Sequence, residues 1–266
     1  MIWDTHMHTY FSGDSDAPAR DMISRAVQLG LPGICITDHL DYDYPDDPEL
    51  FLLDLPAYEE EIHALASEFD SQIEVRFGIE LGLQPQLAAR HREVTAAHPF
   101  DQVIGSVHVV HGIDPYYPEY YSGRKEQDAY REYFECILEN IRAFDDFDTL
   151  GHLDYVVRYG PTGNKNYKYA DYADIIDEIL RLLVQKDKAL EVNTGGLKYG
   201  LSEPNPCADI IRRFRELGGE LITIGADAHT PAHIAFDLEK IPPILKDCGF
   251  GTYTVFKGRK PEFLVL

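Results

Sequence analysis

Cysteine is scarce in this chain of 266 residues, which has four, spread far apart with no CxxC pair. Neither a disulfide framework nor a cysteine-ligated zinc site is therefore indicated. No apolar run approaches the roughly 18 residues that a membrane span needs. The first residues also lack the basic and apolar regions of a secretory signal. These absences predict a cytoplasmic protein that does not enter the membrane.

Basic residues are scarce as well, because 24 lysines and arginines stand against 46 aspartates and glutamates, a net charge of −22. Such a charge repels a phosphate backbone, so we expect no nucleic-acid partner. A small phosphorylated substrate stays compatible with it if metal ions supply local positive charge. No internal repeat or linker interrupts the chain, so residues 1–266 are predicted to form one domain. An oligomer is left open.

The chain does contain an alternation of short apolar runs and stretches with helical spacing. Seven runs are predicted as strands, at 2–8, 33–39, 73–81, 102–109, 149–154, 189–195 and 220–229. Helices are predicted after them, at about 18–29, 56–69, 86–97, 126–144, 171–187, 205–217 and 231–247. This order is typical of a parallel α/β architecture. Because no GxGxxG motif follows the first run, a barrel is favoured over an open sheet, with its site at the carboxyl ends of the strands.

Histidines are concentrated at the ends of the predicted strands. Six of the eleven histidines lie at or just after the end of a predicted strand: His6, His8, His39, His108, His152 and His229. Glu80 and Asp227 occupy strand ends too, and a carboxylate inside the apolar run FGIEL is costly unless it is paired or bound to metal. A single such histidine would more often be structural, but the whole set favours a metal site. Nitrogen and oxygen ligands suit zinc, manganese or iron, and their number predicts more than one ion.

The other histidines carry less information. We predict that His63, His91 and His98 lie on the protein surface, and the sequence does not assign His111 or His233.

Six motifs in order resemble the PHP superfamily of phosphoesterases, named for polymerases and histidinol phosphatases. They are DTHMH (4–8), TDH (37–39), GIEL (78–81), GSVH (105–108), GHLD (151–154) and GADAH (225–229). The longer stretches FDQVIGSVH, GHLDYVVRYG and EVNTGGLKYG resemble the monofunctional histidinol-phosphate phosphatase branch. This resemblance implies a distorted seven-stranded (β/α)7 TIM-like barrel that holds three divalent metal ions. It also implies hydrolysis of L-histidinol phosphate to L-histidinol and phosphate, in histidine biosynthesis.

The resemblance further implies a ligand set for each ion. The first ion would be held by His6, His8, Glu80 and Asp227. Glu80 would bridge to a second ion, completed by His108 and His152. The third ion would take His39, His229 and a residue of the loop after the first strand, either Asp14 or Asp16. Relatives often place a histidine at the position of Asp14, so an aspartate there makes the third site richer in oxygen.

The reaction expected from this site is attack on phosphorus by a metal-bridging hydroxide. The charges of three divalent ions and of the carboxylates Asp14, Glu80 and Asp227 add up to a net charge of about +3. This net charge is enough to hold a phosphate dianion in an acidic protein. Two close metals lower the pKa of a bridging water and clamp the attacking and leaving oxygens. The catalytic candidates are Asp227, His229 and His39, and the first two are the candidate general acids.

Substrate contacts are predicted in the loops. Arg158 in VVRYG is the expected phosphate clamp, because a guanidinium binds phosphate bidentately. Lys198 in GGLKYG is a second cation, and either one could instead be a solvated surface residue. Ser106 could donate a hydrogen bond to the substrate, or simply be a small residue in a tight strand end. The acidic loop 38–49 and the tyrosine-rich loop 114–123 offer partners for an ammonium and an imidazole.

Three other functions are compatible with parts of this pattern. A PHP phosphoesterase for a sugar phosphate or nucleotide would differ only outside the metal motifs. A nuclease is less favoured because the chain lacks a basic stripe. A binding or regulatory module without catalysis would typically have lost ligands, whereas each motif here keeps its ligand.

Overall fold

The computed structural model describes residues 2–163 and 165–266. Its main sheet is parallel and curled, in the order β1-β3-β4-β5-β6-β7, with β2 paired to β3. The strands are β1 Gly33–Ile36, β2 His39–Leu40, β3 Glu74–Gly82, β4 Gln102–Ser106, β5 Thr149–Leu150, β6 Ala189–Asn193 and β7 Ile222–Gly225. All of these pairs are parallel, so their carboxyl ends share one face. The predicted distorted TIM-like barrel is confirmed.

The first predicted strand, 2–8, is an extended segment that forms isolated bridges, Asp4 to Ile34 and Met7 to Ala228. On one side the Cys35 amide donates to the Asp4 carbonyl at 3.0 Å. On the other side the Thr5 amide donates to the Ile224 carbonyl, also at 3.0 Å. The segment therefore lies between β1 and β7 and closes the curled sheet, although it makes no regular ladder.

Helices cover the outside of the sheet. They are α1 Ala19–Leu29, α2 Leu55–Phe69, α3 Ala88–Ala97, α4 Glu126–Ala143, α5 Ala173–Gln185, α6 Gly195–Lys198, α7 Ala208–Glu216 and α8 Ile241–Asp247. α5 shows why they pack as they do: its buried residues Ile175, Ile176, Ile179, Leu180 and Leu183 recur at helical spacing and form one apolar face. No helix in the described ranges combines the length and apolar character needed to cross a bilayer.

In the last part of the chain one prediction is wrong and one element was not predicted. The helix predicted over 231–247 is instead two short 3-10 turns, Pro231–His233 and Leu238–Lys240, followed by α8. Ala235 and Asp237 both have φ of 55°, the left-handed region, and this interrupts a right-handed helix. An antiparallel hairpin that was not predicted follows, with strands β8 Thr252–Lys257 and β9 Lys260–Val265.

Candidate metal centre

The histidines of the first segment point to one side of the chain, as residues two apart in extended backbone do. The side chains of His6 and His8 are fully buried, and their Nε2 atoms are 3.1 Å apart. Glu80 joins them from β3, with its Oε2 atom 3.1 Å from His6 Nε2 and 3.5 Å from His8 Nε2. Asp227, just after β7, places Oδ1 3.4 Å from His8 Nε2. This is the first group of donors.

Donor separations in this group match a coordination shell. Tetrahedral ligands at the usual zinc distances of about 2.0–2.1 Å lie about 3.3 Å from one another. The four separations above run from 3.1 to 3.5 Å, and His6 Nε2 lies 3.9 Å from Asp227 Oδ1. His6, His8 and Glu80 therefore form one compact group of donors, and Asp227 adjoins its two histidines.

A second group lies on the other side of the Glu80 carboxylate. Its Oε1 atom is 3.4 Å from His108 Nε2 and 3.0 Å from His152 Nε2. The two oxygens of Glu80 thus face different donor groups.

A third group forms at the mouth of the barrel. Asp14 Oδ2 is 3.1 Å from His229 Nε2 and 3.8 Å from His39 Nε2. Asp14 and the alternative ligand Asp16 are both exposed to solvent, but Asp14 contacts the two histidines. The geometry thus favours Asp14 over Asp16 for this group.

Unpartnered polar atoms support metal binding. Among the described residues, the buried Oε2 atom of Glu80, which faces His6 and His8, has no hydrogen-bond partner. Leaving such atoms without a partner is costly in a protein interior. Imidazole nitrogens and carboxylate oxygens at these spacings are donors that suit divalent ions, so the residues present fit a metal centre.

Several residues that hydrogen-bond the far side of these ligands were not predicted from the sequence. Glu191 Oε1 lies 2.6 Å from His6 Nδ1, and Asp41 Oδ2 lies 2.6 Å from His108 Nδ1. Ser12 Oγ contacts His8 Nδ1 at 3.2 Å and donates to Asp38 at 2.6 Å. Carboxylates of this kind orient metal-ligating histidines. Glu191 could have been found, because it interrupts the apolar run ALEVN just as Glu80 interrupts FGIEL.

The charges of the centre stabilise its carboxylates. Burial alone would raise the pKa of Glu80, but the neighbouring His6, His39 and His108 outweigh it and hold that pKa well below its ordinary value. Burial likewise opposes ionisation of Glu191, yet His6 lowers its pKa. Both groups are therefore carboxylates at neutral pH, the form that can bind a cation or a histidine N–H.

Two cations lie beside the donors, Arg158 with a buried side chain and Lys198 half-buried. The side chain of Arg158 is 3% exposed and donates to Asp227 Oδ2 at 2.8 Å, Asn193 Oδ1 at 2.7 Å and Asn205 Oδ1 at 2.9 Å. Lys198 Nζ donates to the carbonyls of Ala226 and Asp227 at 3.0 and 2.7 Å. Both side chains line the main cavity together with the donor groups.

Ser106 does not line this cavity. It is fully buried behind Glu80, to whose Oε1 its hydroxyl donates at 2.6 Å. Its position in β4 directs the hydroxyl to that carboxylate, so the structure fits a role in orienting Glu80 rather than the predicted contact with substrate.

The prediction that His91 lies on the surface is wrong. The ring is fully buried against Tyr42 and Phe144, with Nε2 3.2 Å from the Gly82 carbonyl. Burial lowers the pKa of His91 to about 4. His63 is exposed and His98 half-buried, while His111, also exposed, pairs with Glu132.

The cavity above the donors has a volume of about 560 Å³. Its outer wall is rich in aromatic side chains: Tyr44, Phe51, Tyr116, Tyr117, Tyr155, Tyr159 and Tyr199. Asp114 lies among them, 6% exposed, and accepts a hydrogen bond from the Tyr44 hydroxyl at 2.7 Å. Both predicted loops, 38–49 and 114–123, therefore contribute to this wall.

A barrel that gathers histidines and carboxylates at the carboxyl ends of its strands defines a class of α/β barrel proteins with a candidate metal centre. The PHP domain family model matches residues 4–195, so this chain belongs to the PHP domain family.

Individual relatives agree with this assignment. A histidinol-phosphatase of Lactococcus lactis subsp. lactis (strain IL1403) is 36% identical over 97% of this chain and 95% of that protein. A probable histidinol-phosphatase of Thermotoga maritima is 31% identical over 97% of this chain and 96% of that protein. The crystal structure of the Lactococcus lactis histidinol phosphate phosphatase, complexed with zinc, L-histidinol and phosphate, matches with a TM-score of 0.89. It is 34% identical and covers 98% of this chain and 100% of that chain.

Proposed function

We propose that this protein is a metal-dependent phosphatase that hydrolyses L-histidinol phosphate to L-histidinol and phosphate. One observation carries the proposal: a single cavity is lined by residues of all three donor groups, by the cations Arg158 and Lys198, and by an aromatic wall with Asp114. Full-length similarity to histidinol-phosphatases, one of them solved with L-histidinol and phosphate, supports the same substrate.

The residues fit three divalent ions, one at each donor group. The first would be held by His6, His8, Glu80 and Asp227. The second would be held by Glu80, His108 and His152. The third would be held by Asp14, His39 and His229. When bound, such ions supply an activated water and neutralise the charge that develops on the phosphate. Zinc in the Lactococcus lactis structure supports a metal of this kind.

Arg158 and Lys198 are the candidate phosphate ligands of the chain itself. A guanidinium carries five N–H donors and remains charged, so Arg158 can hold Asp227 and still present a donor to a phosphate oxygen. Burial lowers the pKa of Lys198. Its two carbonyl contacts fix the ammonium at the cavity wall, where it can compensate an anion. Together they would draw a dianion into an otherwise acidic protein.

Proton transfer to the leaving alkoxide is assigned to the third group. His229 Nδ1 lies 3.1 Å from the Asp227 carbonyl, and Asp227 Oδ1 lies 3.6 Å from the same ring nitrogen. His39, His229 and Asp14 line the cavity, and His229 and Asp14 are partly open to solvent. The general-acid role of His229 stays a prediction. Burial opposes ionisation of Asp227, but His6, His8 and Arg158 hold its pKa well below the ordinary value, which favours the carboxylate form and not a proton donor.

The organic part of the substrate fits the aromatic wall. L-histidinol carries an ammonium and an imidazole, and cations are attracted to the faces of aromatic rings. Asp114 adds a carboxylate that is already oriented by the Tyr44 hydroxyl and by the Tyr116 amide, at 2.7 Å each. We therefore place the phosphate at the donor groups and the amine towards Asp114.

Phosphate release from L-histidinol phosphate tests this function. The same sample is assayed as purified, after stripping with a chelator, and after reloading with zinc or manganese. We expect activity to disappear on stripping and to return on reloading. Phosphate release that survives complete metal removal would contradict a metal-dependent reaction.

A further inference from the structure

Asp41 lies between two of the donor groups. It follows β2 and is 2% exposed. One oxygen, Oδ2, is 2.6 Å from Nδ1 of His108, a member of the second group. The other oxygen, Oδ1, is 3.7 Å from Nδ1 of His39, a member of the third group. A single carboxylate thus faces the outer nitrogens of ligands from two groups.

The His39 end of this arrangement lacks a partner. Among the described residues, Asp41 Oδ1 and His39 Nδ1 are both buried and without a hydrogen bond. A metal-ligating histidine donates its second ring N–H to an outer acceptor. His39 Nε2 faces Asp14, which leaves Nδ1 as the nitrogen that needs one.

Glu80 is the competing acceptor for that nitrogen. Its Oε2 atom is closer to His39 Nδ1, at 3.1 Å, but it also faces His6 and His8 at 3.1 and 3.5 Å. As a ligand of the first ion, this oxygen would give one lone pair to the metal, and it already faces imidazole nitrogens of three histidines, which favours a different acceptor for His39 Nδ1. Asp41 Oδ1 is then the acceptor that remains.

The fold keeps space for this carboxylate. Gly82, the last residue of β3, stands directly beneath it, and a Cβ atom there would come 2.2 Å from Asp41 Cγ and 2.3 Å from Oδ2. Any larger residue would push the carboxylate away from His108 while leaving every proposed ligand in place. The absence of a side chain at Gly82 thus leaves room for the Asp41 carboxylate at the end of β3.

We propose that Asp41 is a positioning residue shared by the second and third metal subsites, one oxygen orienting His108 and the other orienting His39. This inference rests on the proposed function, since it concerns how the chain holds the ions of that phosphatase. It makes the affinities of these two subsites depend on one side chain.

Zinc retention tests the proposal without reference to activity. Wild type, Asp41→Ala and Gly82→Ala are loaded with zinc, titrated with a chelator of known affinity, and followed by elemental analysis. Loss of an outer-shell partner lowers metal affinity about 10–100-fold. We expect both variants to hold two ions that much more weakly, and to keep the ion of the His6 and His8 group at wild-type affinity.

Two matched variants serve as controls. Asp114→Ala removes a similarly buried carboxylate that also lines the cavity but is bonded to Tyr44 and the Tyr116 amide. Gly251→Ala adds a methyl group where nothing lies within 4 Å. Both should retain zinc as the wild type does, and circular dichroism checks that all four variants are folded.

The outcomes separate this inference from the proposed function. If Asp41→Ala binds only one ion more weakly, or none, Asp41 does not orient ligands of both subsites. The same conclusion follows if Gly82→Ala retains zinc as the wild type does. If the wild type itself binds no zinc, the metal-dependent function fails instead.

Discussion

Replacing Glu80 with glutamine tests the bridging carboxylate. The variant keeps the size of the side chain, but it replaces one oxygen with an amide nitrogen, which cannot bind a metal. In the structure Oε2 faces His6 and His8, and Oε1 faces His108 and His152. Either orientation of the amide leaves one group without its carboxylate ligand, and the loss of negative charge weakens both. Glu80→Gln should therefore affect two ions.

The magnitude follows from the contacts that are lost. Changes in outer-shell partners alone cost about 10–100-fold in metal affinity. Removing a direct ligand should cost more, so we expect at least about 100-fold for the more affected ion. A factor of 100 in the dissociation constant removes about 2.7 kcal/mol of the stabilisation that a saturating ion gives the fold.

Chelator titration with elemental analysis measures the affinities, and thermal unfolding with and without zinc measures the stabilisation. Glu191→Gln is the matched control, because Glu191 contacts His6 at 2.6 Å and His152 only through its backbone amide. Glu191→Gln should therefore weaken the binding of the first ion alone. The bridging interpretation is refuted if Glu80→Gln retains every ion at wild-type affinity, or loses no more than Glu191→Gln does.

Three further predictions concern the cations, the cavity wall and a buried histidine. Arg158→Lys keeps the charge but cannot replace the three hydrogen bonds of Arg158. We expect kcat/KM to fall by a factor that corresponds to about 1.5–3 kcal/mol of lost transition-state stabilisation, measured by steady-state phosphate release. Asp114→Asn should raise KM for L-histidinol phosphate but leave p-nitrophenyl phosphate unchanged, since only the former has an ammonium; equal effects on both would contradict its role. Burial gives His91 a pKa of about 4 in the folded protein, below the value of about 6.5 in the unfolded chain. Between these pH values only the unfolded chain binds a proton at His91, so the free energy of unfolding falls as the pH is lowered from about 6.5 to about 4. Urea unfolding of His91→Gln should lose that part of the acid sensitivity, up to about 3 kcal/mol.

The positions of the metal donors could be predicted from sequence because they depend on simple rules. Residues two apart in extended backbone share a side, which brings His6 and His8 together. Parallel strands end on one face, which brings Glu80, His108 and His152 to the same place. The structure brings these five side chains together, and their role as metal ligands stays a prediction.

Outer contacts could not be predicted in the same way. Asp41 reaches His108 only because Gly82 leaves room beneath it, and no spacing rule relates those positions. Arg158 was expected to serve substrate, yet its hydrogen bonds also fix Asp227, a partner 69 residues away along the chain. Such partners depend on how loops fold back over the barrel, which periodicity does not report.

Polar neighbours in the sequence are a poor guide to the burial of His91. His91 sits between Arg90 and Arg92 in the sequence, which is typical of a solvated helix face, but the helix turns that one ring inward. The break in the stretch 231–247 depends on left-handed backbone at Ala235 and Asp237. An alanine carries no signal for that conformation.

Substrate discrimination tests the central claim most directly. On one zinc-loaded sample, kcat/KM is measured for L-histidinol phosphate, a sugar phosphate and a nucleoside monophosphate. The contacts assigned to Asp114 and the aromatic wall predict that L-histidinol phosphate is preferred by well over tenfold, since binding of its amine and imidazole lowers the barrier only for that substrate. A sugar phosphate or nucleotide hydrolysed within about tenfold of it, a difference of only ~1.4 kcal/mol, would contradict the assignment to histidinol phosphate.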